Sequence, residues 1–206
     1  MDLTRTRTAL HGVAELLLAG PQYDASGTIR LRVVAGGIAT VAEPDLRLVG
    51  TELRGPSGRH PLAGTYAEAA AGLGVEPRSL DDVYRDTAGV GVDDVIEVDA
   101  DQLAVLLDAL ARGDAALRSF APSQEPVLWP EHLDVGVTVD EVNFGVSPGD
   151  ALIPEPYAYV GPWTPRTGSF WNQPFGAARP LSGLEDVAGF FAEGAERAGS
   201  DPVATA

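Results

Sequence analysis

An α+β fold, with an antiparallel sheet of hairpins and meander packed against three to four amphipathic helices, is predicted by three features of the sequence. Apolar residues recur at helical spacing in two stretches, Leu10, Val13 and Leu17 and then Leu103, Leu106, Leu107 and Leu110. They alternate at strand spacing in others, as in Ile29, Leu31 and Val33 and in Leu133, Val135, Val137 and Val139. Glycine and proline turns punctuate the strand-like stretches, which suits hairpins between antiparallel neighbours.

Taken in order, the first helix carries Ala14 and Leu18 beside its stripe, and Gly20-Pro21 is expected to stop it. Thr28 to Val33 reads as a half-buried strand, and Gly36-Gly37 suits a two-residue turn into Ile38 to Val41. Short strands around 46–48 and 51–53 continue a meander. Thr65 and Glu68 have capping-box spacing ahead of an alanine-rich helix ended by Gly72 or Gly74, and residues 78–95 read as acidic loop. Asp99 and Gln102 cap the leucine-rich helix.

Beyond Pro122 the pattern turns to strands. The alternation of Val142, Phe144 and Val146 is out of phase with the set ending at Val139, so a tight turn or a bulge is required at Asp140-Glu141. Ser147-Pro148-Gly149-Asp150 has turn chemistry, and Tyr157 to Val160 is one more short strand. Residues 161–180 form an aromatic connection without periodicity. Ser182 and Glu185 are placed to cap a last helix with Leu184, Val187 and Phe191 on its inner face. The expected layout is one compact domain over 1–198 and a flexible tail over 199–206.

The composition narrows the chemistry. Thirty acidic residues against 14 basic ones give a formal net charge of −16, which repels a phosphate backbone and an anionic bilayer, so neither a nucleic acid nor a membrane is an expected partner. All 14 basic residues are arginines, which excludes a Schiff-base lysine and a P-loop lysine. With no cysteine, thiol catalysis, thiolate metal sites and disulfides are excluded. No apolar run approaches the ~18 residues of a membrane span, and Met1-Asp2-Leu3-Thr4-Arg5 opens no signal-like apolar segment; a cytoplasmic location is expected.

Candidate chemistry concentrates between Trp129 and Asn172. On an extended chain, His132 and Asp134 fall on one face, a spacing suited to a histidine oriented by a carboxylate. His132 is then the candidate acid/base and Asp134 its orienting partner. Trp129, Tyr157, Tyr159, Trp163, Trp171 and Asn172 are the candidate ligand-binding residues, able to wall a pocket for an apolar or planar ligand. The same residues also read as the wet face of an antiparallel sheet and as an aromatic strap buried over it. His11 and His60 have no adjacent serine or carboxylate pattern that would make either a triad member, and they are read as not catalytic.

The motifs Leu128-Trp129-Pro130, His132-Leu133-Asp134, Ser147-Pro148-Gly149-Asp150 and Glu155-Pro156-Tyr157 resemble the signature of an uncharacterised actinobacterial family of unknown function. That resemblance implies no activity. It implies only that residues from Trp129 to Trp171 act as one unit.

The sequence therefore points to a small-molecule-binding protein, an enzyme if His132 and Asp134 act as an acid/base pair, with cofactor unspecified. The alternatives are a non-catalytic interaction module whose acidic surface takes a basic protein partner, and a divalent-cation site built from His132, Asp134, Asp140 and Asp150.

Overall fold

The computed structural model describes residues 3–204. It has the predicted α+β architecture: a ten-stranded antiparallel sheet in the order β10-β9-β8-β7-β6-β1-β2-β3-β4-β5, with its helices on one face. Strands β1 (Leu31–Val34), β2 (Gly37–Thr40), β3 (Arg47–Val49), β4 (Glu52–Gly55) and β5 (Gly58–Pro61) form one meander. Strands β6 (Val127–Trp129), β7 (Asp134–Val139), β8 (Val142–Ser147), β9 (Tyr157–Pro162) and β10 (Ala177–Pro180) form a second. The first strands of the two meanders join antiparallel at Leu31 and Leu128.

Each meander is preceded and followed by helix. The first follows α1 (Thr4–Gly12), a π-helical segment (Val13–Ala19) and α2 (Gly20–Ser26), and precedes α3 (Tyr66–Leu73). The second follows α4 (Ala100–Phe120) and precedes α5 (Val187–Ser200). The order helix, five strands, helix thus occurs twice, and the leucine-rich helix opens the second copy. Among the described residues, no helix is long and apolar enough to cross a membrane.

Gly20-Pro21 does not stop the first helix. Pro21 has no N–H to donate, and the carbonyl of Leu16, five residues back, instead accepts from the Arg78 N–H at 3.1 Å. A Cβ on Gly20 would lie 2.2 Å from the Arg78 carbonyl oxygen. The pair is thus where the segment around Arg78 docks, and the helix runs on to Gly27, which takes a φ of 73° as its C-cap.

The expected caps are present at Thr65, which forms a full capping box with Glu68, and at Asp99, which accepts from the Gln102 N–H at 2.9 Å. The last helix starts later than its sequence suggests, with Asp186 as the N-cap, accepting from the Gly189 N–H. The first hairpin turns at Ala35-Gly36, one residue earlier than expected, since Val34 pairs with Gly37. β5, β6 and β10 are short and carry no clear alternation in the sequence.

The phase slip after Val139 resolves as a tight turn. Asp140 and Glu141 both take positive φ, 49° and 63°, so Val139 pairs with Val142 and Val137 with Phe144. Val135, Val137, Phe144 and Val146 then share the helix-covered face, where they pack with Leu106, Leu110 and Phe191 in a continuous core. Burying each such side chain contributes about 1.5–3 kcal/mol.

The segment expected to be a loose tail is partly docked: α5 extends to Ser200, and Thr167 N–H donates to Pro202 O while Ala204 N–H donates to Pro165 O. Thr205 and Ala206 lie outside the described residues.

Candidate functional site

The face of the second meander opposite the helices carries the site. Strand alternation on β7, β8 and β9 puts Asp134, Gly136, Gly145, Tyr157 and Tyr159 on this face. Gly136 and Gly145 are paired with each other, and Gly145 in turn is paired with Tyr159. A Cβ on Gly145 would lie 2.5 Å from the phenol carbon and oxygen of Tyr159. The two glycines therefore let the Tyr159 ring lie flat across the strands and bring its hydroxyl to Asp134. That hydroxyl donates a hydrogen bond to Asp134 Oδ2.

Asp134 is buried at 8 % exposure, and its second oxygen, Oδ1, has no hydrogen-bond partner. Burial pushes its carboxyl above the ordinary carboxylate range, against the opposing pull of the Tyr159 hydrogen bond and of His132. The Tyr159 phenol is pushed well up by the same burial and by the adjacent carboxylate.

A second tyrosine–aspartate pair stands beside it. Tyr157 Oη donates to Asp150 Oδ2 at 2.6 Å, and Asp150 Oδ1 also accepts the N–H groups of Leu152 and Ile153, both at 2.7 Å. Asp150 thus organises the 148–154 loop, which Arg7 braces by donating to the Pro154 carbonyl at 2.9 Å. Gly149 takes a φ of 100° in that loop, as its turn sequence anticipated.

These pairs form the floor of an open cavity of about 940 Å³. Trp163 and Phe175 rise at its rim, Asn143 supports the Trp163 indole by accepting from Nε1 at 3.2 Å, and His11, Asp86 and Thr87 complete the wall. Asp86 and Thr87 are held there by the π-helical segment: the buried Glu15 accepts the N–H of Leu80 at 3.3 Å and of Ala88 at 2.7 Å. π-Helical turns recur where a helix must aim a side chain out of regular register.

The candidate residues divide. Asp134, His132, Tyr157, Tyr159 and Trp163 meet at the cavity. His132 is not on β7: residues 130–133 form a turn, Leu133 takes a φ of 52°, and the strand starts only at Asp134. The imidazole is therefore 57 % exposed, with Glu131 at 3.5 Å and Asp86 at 3.6 Å, and it forms no hydrogen bond with Asp134. The expected acid/base pair is not assembled.

Trp129 lines a neighbouring groove of about 510 Å³ that also reaches Asp134 and Tyr159, with Arg30 stacked 5.6 Å over its ring. Trp171 and Asn172 are elsewhere. Trp171 Nε1 donates to Asp201 Oδ2 at 3.0 Å, tying the 161–172 connection to the end of α5. Asn172 exchanges hydrogen bonds with the backbone of Ala178, in place of a further strand beside β10. Of the proposed cation ligands, Asp140 lies outside the cavity. Among the described residues, no group of three or more His, Asp or Glu side chains is arranged to hold a metal ion.

Sequence reasoning missed Asp150 as a tyrosine partner and His11 as a wall residue. His11 Nε2 has no partner, and burial lowers the imidazole's pKa despite Glu15 nearby. The i, i+4 spacing of His11 and Glu15 on one helix was the available signal. The chain matches no protein-family model, no curated protein and no solved structure.

Proposed function

We propose that the protein binds a small molecule in the cavity on the open face of its second meander. The observation that carries this is the Asp134–Tyr159 pair: a buried carboxylate with one oxygen unpartnered, set in the floor of a ring-walled cavity. An unpaired buried acceptor costs about 1–3 kcal/mol and adds nothing to the fold. Ligand pockets have this composition, mostly apolar and aromatic wall with a few convergent polar groups, and volumes of about 300–1,000 Å³.

The test is a fragment screen read by thermal shift and by tryptophan fluorescence. A bound fragment raises the melting temperature by mass action, and Trp163→Ala and Tyr159→Phe each weaken it. Trp163 is 63 % exposed, so its removal leaves the unliganded melting temperature nearly unchanged. Hits that bind both variants as well as the parent would place binding elsewhere.

A second reading is favoured by one observation. Leu152, Trp163 and Phe175, at 61, 63 and 39 % exposure, all sit on the cavity wall, as anchors of a protein interface would. In that reading Trp163→Ala abolishes capture of a protein partner and no fragment binds.

A further inference from the structure

Resting on that reading, we propose that the ligand is a small organic cation, an ammonium group carried on an aromatic or similarly flat body, and that Asp134 is its anchor. Four carboxylates contribute to the cavity wall, Asp86, Glu131, Asp134 and Asp150. They are not equivalent. Asp150 already accepts three hydrogen bonds, two from its own loop and one from Tyr157. Asp86 and Glu131 flank the imidazole of His132, and Asp86 is 78 % exposed, so water screens it. Asp134 alone among them is buried, and Tyr159 is the one side chain that hydrogen-bonds to it.

The cationic side of the wall is weak. The Arg7 guanidinium is engaged with the carbonyls of the 150–154 loop, and burial lowers the pKa of the His11 imidazole. An anion entering the cavity thus meets four carboxylates against the one Arg7 guanidinium, whereas an ammonium brings Asp134, whose buried Oδ1 has no partner, the charge that it lacks. Replacing the lost hydration of that carboxylate by a cation removes the penalty of its burial.

The rings complete the selection. Tyr157 and Phe175 lie 6.4 Å apart at 30°, Tyr157 and Tyr159 6.4 Å apart at 59°, and the Trp163 indole, held by Asn143, lines the same cavity. Their faces carry negative electrostatic potential and attract an ammonium as well as stack on a flat body. Carboxylate below and rings around are the two elements with which proteins recognise amines.

The experiment compares three probes of matched size, phenethylammonium, phenethyl alcohol and hydrocinnamate, titrated calorimetrically at pH 8 into the parent, Asp134→Asn and Asp108→Asn. Asp108 is exposed on α4 and controls for the loss of one charge from an acidic surface. The parent is expected to prefer the amine over the alcohol by roughly tenfold or more, with hydrocinnamate weakest. Asp134→Asn is expected to reduce that preference to near unity while the alcohol's affinity holds, and Asp108→Asn to leave it intact. The cation assignment is overturned if alcohol or hydrocinnamate binds the parent as tightly as the amine, and the anchor assignment if the preference survives Asp134→Asn. In both cases binding in the cavity still stands. If none of the three probes binds the parent, the small-molecule reading falls with the inference. The comparison among probes on the parent decides the ligand class whether or not the asparagine variant folds.

Discussion

At Asp134 the requirements of binding and of stability oppose each other, and the opposition is measurable. Burial pushes its carboxyl above the ordinary carboxylate range, with Glu131 adding to the rise and Tyr159, His132 and its own backbone opposing it. A carboxyl whose folded pKa is raised binds its proton more tightly in the native state than in the unfolded one. Below the ordinary value both states hold the proton and nothing is lost. As pH rises through the raised value the native state must ionise a buried group, and stability falls, by about 1.4 kcal/mol for each unit of elevation. Asp134→Asn removes this loss while keeping an acceptor for the Tyr159 hydroxyl. The variant should therefore melt above the parent at pH 8, with the difference closing as pH is lowered towards 4. Melting curves across that range check the sign, and a variant that melts lower than the parent at pH 8 would show that the ionised carboxylate stabilises the fold.

The π-helical segment Val13–Ala19, whose Glu15 holds the 80–88 segment beside the cavity, was the element least visible in the sequence. Leu10, Val13 and Leu17 fit a regular helix, and nothing in apolar spacing distinguishes five-residue from four-residue hydrogen bonding. Its consequences lie in backbone groups of residues far along the chain: Arg78 bonding to Leu16, and Leu80 and Ala88 bonding to Glu15. Patterns that depend on one element alone were legible, such as the capping box at Thr65, the Asp99 cap and the alternation on β7 and β8. The turn at Asp140-Glu141 was legible too, because two strands out of phase admit few connections. His132 was misplaced because alternation was carried two residues too far: the four-residue turn that joins β6 to β7, with Leu133 left-handed, ends only at Asp134. Glu15→Ala tests the role of the π-helical segment. It leaves two backbone donors without their acceptor, at a cost of roughly 2 kcal/mol or more. Hydrogen exchange should accelerate at Leu80 and Ala88 and stay slow in β7 to β9. Unchanged protection at Ala88 would mean that the 80–88 segment is held without Glu15.

In the whole molecule, the doubled order of helix, five strands and helix raises the question of whether two halves fold separately or as one. The sheet seam is narrow, a single antiparallel pairing of Leu31 with Leu128. The seam is reinforced away from the sheet. The Thr6 hydroxyl donates to Gln102 Oε1 at 2.9 Å and accepts from the Asp99 N–H at 3.2 Å, linking α1 to the start of α4. One hydrophobic cluster runs without a break from Leu10 and Leu48 in the first half through Leu31, Leu128 and Leu103 to Phe144 and Phe191 in the second. A core shared in this way should make the two halves unfold together. The tryptophans provide the means to see it, because Trp129, Trp163 and Trp171 all belong to the second half. Leu48→Ala empties a fully buried position in the first half, at a cost of about 2–5 kcal/mol. In a urea titration the tryptophan signal of the variant should shift to lower denaturant by the same amount as its far-ultraviolet dichroism. A tryptophan midpoint that stays at the parent's value while the dichroism loses part of its amplitude earlier would show that the meanders unfold independently, joined only at their first strands.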